Sequence, residues 1–121
     1  MKWFPCSAGI SIFQSINPDQ MIFITQLIYI KPGEEQVFHQ FEDLAMPLIA
    51  RYNGRLLLRL RPSVHEIIET AIDPPYEVHL VEFPVEEDFR SFMKDEERRK
   101  FLHLKEQSVR SVILIKGEKI G

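Results

Sequence analysis

Between Ile22 and Ile30 the chain reads Ile-Phe-Ile-Thr-Gln-Leu-Ile-Tyr-Ile, almost continuously apolar and rich in β-branched and aromatic residues. Such a run predicts a strand covered on both faces, hence central in its sheet. Lys31-Pro32-Gly33 stops it, and Glu34 and Glu35 supply the acidic first turn that suits a helix N-terminus. Val37, Phe38, Phe41, Leu44, Ala45, Leu48, Ile49 and Tyr52 then recur at the three-and-four spacing of one buried helical stripe, closed by Asn53-Gly54. Pro47 falls inside this helix, where it lacks an N–H for the carbonyl of Asp43. The stripe continues in phase beyond it, so the pattern predicts a kink with Pro47 on the exposed side.

Residues 55 to 61, Arg-Leu-Leu-Leu-Arg-Leu-Arg, alternate. Leu56, Leu58 and Leu60 should share one face and Arg55, Leu57, Arg59 and Arg61 the other, as in a half-polar edge strand. A connector spanning Ser63 to Asp73 is long enough to hold a short strand at Glu66-Ile67-Ile68-Glu69 or to form a flap over a pocket. Pro74-Pro75 leads into a third strand, Tyr76 to Phe83, ended by Pro84. Glu86, Glu87 and Asp88 open a second helix through Phe89, Phe92 and Met93. Its phase slips at Lys94-Asp95, where Asp95 suits the N-cap of a further piece whose face carries Arg98, Phe101, Leu102 and Lys105. Val112 to Ile115 form the last strand.

The element order is therefore βαββαβ, with no internal repeat. This is the order of a ferredoxin-like α+β domain, an antiparallel sheet of spatial order 4-1-3-2 with both helices on one face. The other face is left bare although the first strand is apolar on both sides. A second copy of the same sheet is the simplest cover, and a homodimer through the open sheet face, a dimeric α/β barrel, is the physical expectation.

Composition narrows the function classes. A length of 121 residues with 45% hydrophobic and 27% charged residues suits one globular domain. A net charge of −3 lacks the basic excess expected of a nucleic-acid binder. Cys6 is alone, which excludes an intrachain disulfide and favours a reducing compartment such as the cytoplasm. Residues 1–20 contain apolar positions broken by Ser7, Ser11, Gln14 and Ser15, without the continuous core of a secretion signal or a membrane span. They read as an N-terminal extension packing on the domain or on a partner, with residues 21–121 forming the domain proper.

Among candidate chemical groups His79 comes first. Strand alternation places it with Glu77, Val81 and Phe83, and the edge strand can bring Arg59 and Arg61 to the same side. A histidine beside a carboxylate and an arginine can act as acid, base or anion clamp, or it can pack in the dimer interface with its nitrogens satisfied. Glu82 falls on the opposite face, assigned with Val78 and Leu80 to the helix side, where it serves as an ion pair or, alternatively, in catalysis. Gln26, the one amide of the first strand, can orient a ligand or bond a buried neighbour. For a metal, His39 with Glu35, Glu42 and Asp43 lies opposite the apolar stripe and reads as a solvated face, and no metal site is expected. No motif calls for a cofactor: a Gly-rich phosphate loop, CxxC, GxSxG and HExxH are all missing.

Three segments carry a family resemblance: Met46-Pro47-Leu48-Ile49-Ala50-Arg51-Tyr52-Asn53-Gly54-Arg55, Val81-Glu82-Phe83-Pro84, and Phe89-Arg90-Ser91-Phe92-Met93 followed by a break. From Ile22 to Ile120 the chain resembles the small dimeric α/β-barrel proteins known only as a domain of unknown function. It departs from them at Asn53, where a second glycine is usual, and at Phe92-Met93, where a Trp-Tyr-like pair is usual. That resemblance implies a fold and a dimer but no reaction. Lys31-Pro32-Gly33-Glu34-Glu35 is similar, more loosely, to the antibiotic-biosynthesis-monooxygenase branch of the dimeric barrels, a group that also holds haem-degrading enzymes and lactone isomerases. Three functions stay open. One is binding of a small apolar or aromatic molecule between sheet and helices, lined by Gln26, Tyr29, His79, Phe83, Phe92 and Met93. The others are a non-catalytic assembly module and a cofactor-independent monooxygenase-like or isomerase-like enzyme.

Overall fold

A computed structural model describes residues 20–120. The reading of residues 1–20 as an extension, with Cys6 among them, lies almost wholly outside the described residues. Strand β1 (Ile22–Ile30) leads into helix α1 (Glu35–Ala45), and strand β2 (Arg55–Leu60) follows it. After β3 (Glu77–Phe83) come three short helices, α2 (Glu86–Met93), α3 (Glu96–Arg99) and α4 (Leu102–Ser108), and then β4 (Val109–Gly117). The antiparallel sheet has the order β2-β3-β1-β4, which places the doubly apolar β1 between two neighbours and the half-polar β2 at an edge. This is the ferredoxin-like arrangement expected from the element order.

Pro47 acts differently from a simple kink. The α-helical ladder stops at Ala45 and the chain runs on in phase as a 3-10 helix from Met46 to Tyr52, with the proline at its start where no N–H is needed. Asn53 ends it in the left-handed region at φ 65°, a conformation its short side chain tolerates. The following Gly54 lies so close to the core that a Cβ there would stand 2.6 Å from both Ile49 Cγ2 and the Phe83 ring. Asp95 accepts a hydrogen bond from Arg98 N at 2.8 Å and so starts α3 as the sequence suggested.

The connector is neither a strand nor a flap. It forms one 3-10 turn at Val64–Glu66, closed by a reciprocal capping box between Ser63 and Glu66, and its residues do not line the cavity described below. A second revision concerns β2. Arg55 pairs with Glu82 and Leu56 with Val81, but Leu58 pairs with Leu80 and Arg59 with His79, leaving Leu57 as an extra bulged residue. Arg55 therefore shares a face with Leu58 and Leu60, not with Arg59.

The helices cover the sheet face that carries Ile22, Ile24, Ile28, Val81 and Phe83, and the core beneath them forms two clusters. One gathers Ile22, Ile24, Leu48, Ile49, Val81, Phe83 and Phe92; the other gathers Ile28, Phe38, Phe41 and Ala45. The opposite sheet face stays bare. Register places Leu58, Leu60, Ile113 and Ile115 there, each 40–50% exposed. Among the described residues no helix is long and apolar enough to cross a membrane.

Candidate functional site

Between the two core clusters lies a cavity of about 300 Å³, walled by members of both, including Ile24, Ile28, Phe38, Ile49 and Phe83. On the sheet side its level is set by the register pair Gln26 and His79, which falls between the pairs Ile24–Val81 and Ile28–Glu77. His79 and Glu42 both face this space.

His79, Glu77 and Glu42 form one buried ionic cluster, with ligand atoms all within 4.8 Å of one another and relative exposures of 4%, 0% and 2%. His79 Nε2 donates to Glu77 Oε2, and Glu42 Oε2 stands 2.9 Å from the same nitrogen. One N–H cannot serve both carboxylates well. Directed at Glu77, it leaves Glu42 Oε2 with charge proximity but no hydrogen bond. Two arginines of β2 close the cluster from the rim. Arg59 donates to Glu42 Oε1 at 2.6 Å and to Glu77 Oε2 at 3.2 Å, while Arg61 donates to Glu77 Oε1 at 2.5 Å and to Glu42 Oε1 at 3.2 Å.

Burial alone would drive the Glu77 carboxyl up, but hydrogen bonds from His79 and Arg61 and the imidazolium charge hold it well below its ordinary range. Burial likewise opposes charge on His79, and the two carboxylates outweigh it, raising the imidazole above its ordinary value. The two shifts act on stability in opposite pH directions. A raised His79 contributes fully below its unfolded value of 6.5 and loses that contribution as pH climbs through the folded value. A depressed Glu77 contributes fully above 4.5 and loses it as pH falls toward the folded value. Urea midpoints are therefore expected to peak between pH 4.5 and 6.5 and to decline on both sides. In His79→Gln the alkaline decline should disappear; a wild-type curve flat from pH 6.5 to 9 would contradict the assignment.

A cation could be considered at three such donors. Here the positions facing the carboxylates are held by His79 N–H and two guanidiniums, so a metal ion would have to displace all three against like charge.

The structure moves several residues from where the sequence put them. Glu82, assigned to the helix side, lies on the bare face, paired to Arg55 at 3.0 Å. His79 lies under the helices and not in a face open to a partner. The error has one cause: β3 carries apolar residues on both faces, so alternation separates the faces without naming them. Of the proposed lining, Gln26, His79, Phe83, Phe92 and Met93 border the cavity. Tyr29 does not; it points to the bare side, donates to the Asp73 carbonyl at 2.8 Å and carries the Arg110 guanidinium over its ring. His39 meets Tyr76 Oη at 2.5 Å and takes no part in the cluster. Glu42 is the residue the sequence reading missed, set aside with His39 on a solvated face. Its signal was its phase, four residues after Phe38 and three before Ala45, both buried.

No family model and no curated protein matches the chain. Solved structures do. A protein of unknown function from Rhodopseudomonas palustris superposes with a TM-score of 0.71 at 14% identity, covering 85% of each chain. A protein of unknown function from Bacteroides fragilis, described as dimeric with a ferredoxin-like fold, matches at 0.61 and 12% identity over 87% of this chain and all of that one. A DABB family protein from Mesorhizobium loti, also ferredoxin-like, matches at 0.61 and 17% identity over 84% and 98%. At these identities the likeness establishes the ferredoxin-like fold that this chain shares with uncharacterised proteins, in agreement with the resemblance carried by its own motifs.

Proposed function

We propose that the protein is a homodimer that binds a small apolar or aromatic molecule between sheet and helices. The observation that carries this reading is the cavity of about 300 Å³ that divides the core and has the His79–Glu42 pair in its wall. Protein interiors normally close to crystal-like density, and a buried ionic cluster is seldom more stabilising than apolar side chains of the same volume. A close-packed apolar core would stabilise the domain at least as well as either feature, and both suit a pocket with a few placed polar groups. Titration with indole, followed by methyl NMR, should shift the signals of Ile24, Ile28 and Ala45. Unchanged methyl signals at saturating indole would overturn the reading.

Dimerisation rests on the bare sheet face, where exposed Leu58 and Leu60 on one edge strand and Ile113 and Ile115 on the other are joined across the sheet by Leu80, Val78 and Leu27. Sedimentation is expected to give twice the chain mass at micromolar concentration, and Leu60→Glu with Ile115→Glu to give the monomer. A wild-type monomer at that concentration sinks the dimer while leaving the cavity untouched.

A second reading, proton transfer by His79 to or from the bound molecule, is supported by the carboxylates behind Nε2, which hold the ring in one orientation and strengthen it as a base. It favours an isomerase-like reaction over the assembly module, which has no use for a cavity. Hydrogen–deuterium exchange into an acidic C–H of a bound ketone, abolished in His79→Gln, is its test.

A further inference from the structure

Opposite in character to the His79 cluster, the helix side of the same cavity presents two cations without a carboxylate to neutralise them. Arg98, on α3, is only 7% exposed and lines the cavity, as does the half-buried Lys105 on α4. Among the described residues neither side chain forms a salt bridge, in a protein whose other buried charges all do. Arg98 has one long hydrogen bond, Nη1 to the Met93 carbonyl at 3.4 Å, and lies over the Phe92 ring at 5.1 Å. The nearest acidic groups are committed or exposed. Asp95 is held by Tyr52, by Arg51 at 3.4 Å and by the Arg98 backbone N–H at 2.8 Å, and Glu106 faces solvent.

An arginine more than nine-tenths buried ordinarily has an anion beside it, because leaving such a charge unpaired in an apolar setting is costly. Both groups feel that cost: burial outweighs the attraction of Asp95 and lowers the basicity of Arg98, and burial together with the neighbouring guanidinium outweighs Glu106 and lowers that of Lys105. A bound anion would relieve both at once, and the guanidinium fork suits a planar, two-oxygen acceptor. The rest of the wall, with Phe38, Phe41, Phe89 and Phe92, asks for an apolar body.

We infer that the cavity is built for an amphipathic monoanion, an apolar or aromatic carboxylate whose head is seated by Arg98 and Lys105 while its body lies along the sheet toward His79. This rests on the cavity reading above and specifies its ligand class.

The test compares two probes of one shape, 2-naphthoate and the neutral 2-naphthylmethanol, by calorimetric titration of the full chain at pH 7. Naphthoate should bind at least tenfold more tightly. Lys105→Met, which keeps the length and apolar stem of the side chain at a half-buried position, should reduce that ratio to threefold or less, and Arg98→Gln should do the same without weakening the alcohol. Equal affinity of the two probes in the wild type, or a preference unchanged in both variants, overturns the anion seat and leaves the cavity standing. If neither probe binds, the cavity reading falls and this inference falls with it.

Discussion

Glu77→Ala is expected to lower the free energy of unfolding by about 3 kcal/mol, the low end of the range for removing one partner of a buried ion pair. The low end applies because the three partners respond differently. Arg59 and Arg61 are 36% and 41% exposed and can turn to water, so their loss is modest. His79, 4% exposed, cannot. It keeps Glu42 but loses the carboxylate that takes its proton, and its pKa should fall back toward the ordinary value. Urea unfolding with a parallel titration of the His79 ring by NMR checks both halves. A loss below 1 kcal/mol, with the imidazole unmoved, would mean that Glu42 alone organises the cluster. Glu77→Gln, which keeps the volume, should fall between the two.

The second large effect belongs to Phe83→Ala, for which truncation of a buried aromatic costs about 3–5 kcal/mol. Phe83 is 1% exposed and packs on Phe89 and Phe92 at ring separations of 5.6 and 5.9 Å. One side of the ring already faces the cavity, so fewer contacts vanish than in a filled core, and a value of about 3 kcal/mol is expected. The close approach of Gly54 supplies an internal check. A methyl at position 54 meets the Phe83 ring, so Gly54→Ala should cost about 1–3 kcal/mol alone and clearly less in the Phe83→Ala background. Additive losses in the double variant would show that the two residues do not press on one another.

The fold was legible because each element carried its own signal. β1 announces a central strand by its almost continuous apolar run, β2 an edge by its arginines, and Asp95 a helix start by its type and place. The site was legible only in part. Period-two alternation groups His79 with Glu77 and, across the sheet, with Arg59, and the structure brings these together. What alternation lacks is the absolute sense of the two faces, and in β3 the apolar residues do not supply it. Glu42 was hidden for another reason: a carboxylate in a helix is most often solvated, and its burial depends on cations arriving from a strand distant in sequence. Arg98 belongs to a charged run, Glu96 to Lys100, that reads as exposed helix surface, so both its burial and its lack of an anionic partner are facts of three dimensions.

The bulge at Leu57 bears on how this chain can change length. A strand usually tolerates loss of a residue poorly, because everything beyond the gap switches sides. Here the register counts Leu56 against Val81 and Leu58 against Leu80, so Leu57 is a spare unit in the ladder. A chain without it could pair regularly and still hold Arg55 opposite Glu82 and Arg59 opposite His79. An insertion has no such slack to use, and it would turn both cluster arginines out toward the bare face. At this edge the sheet is already one residue long, so descendants of this sequence can shorten it more safely than they can extend it.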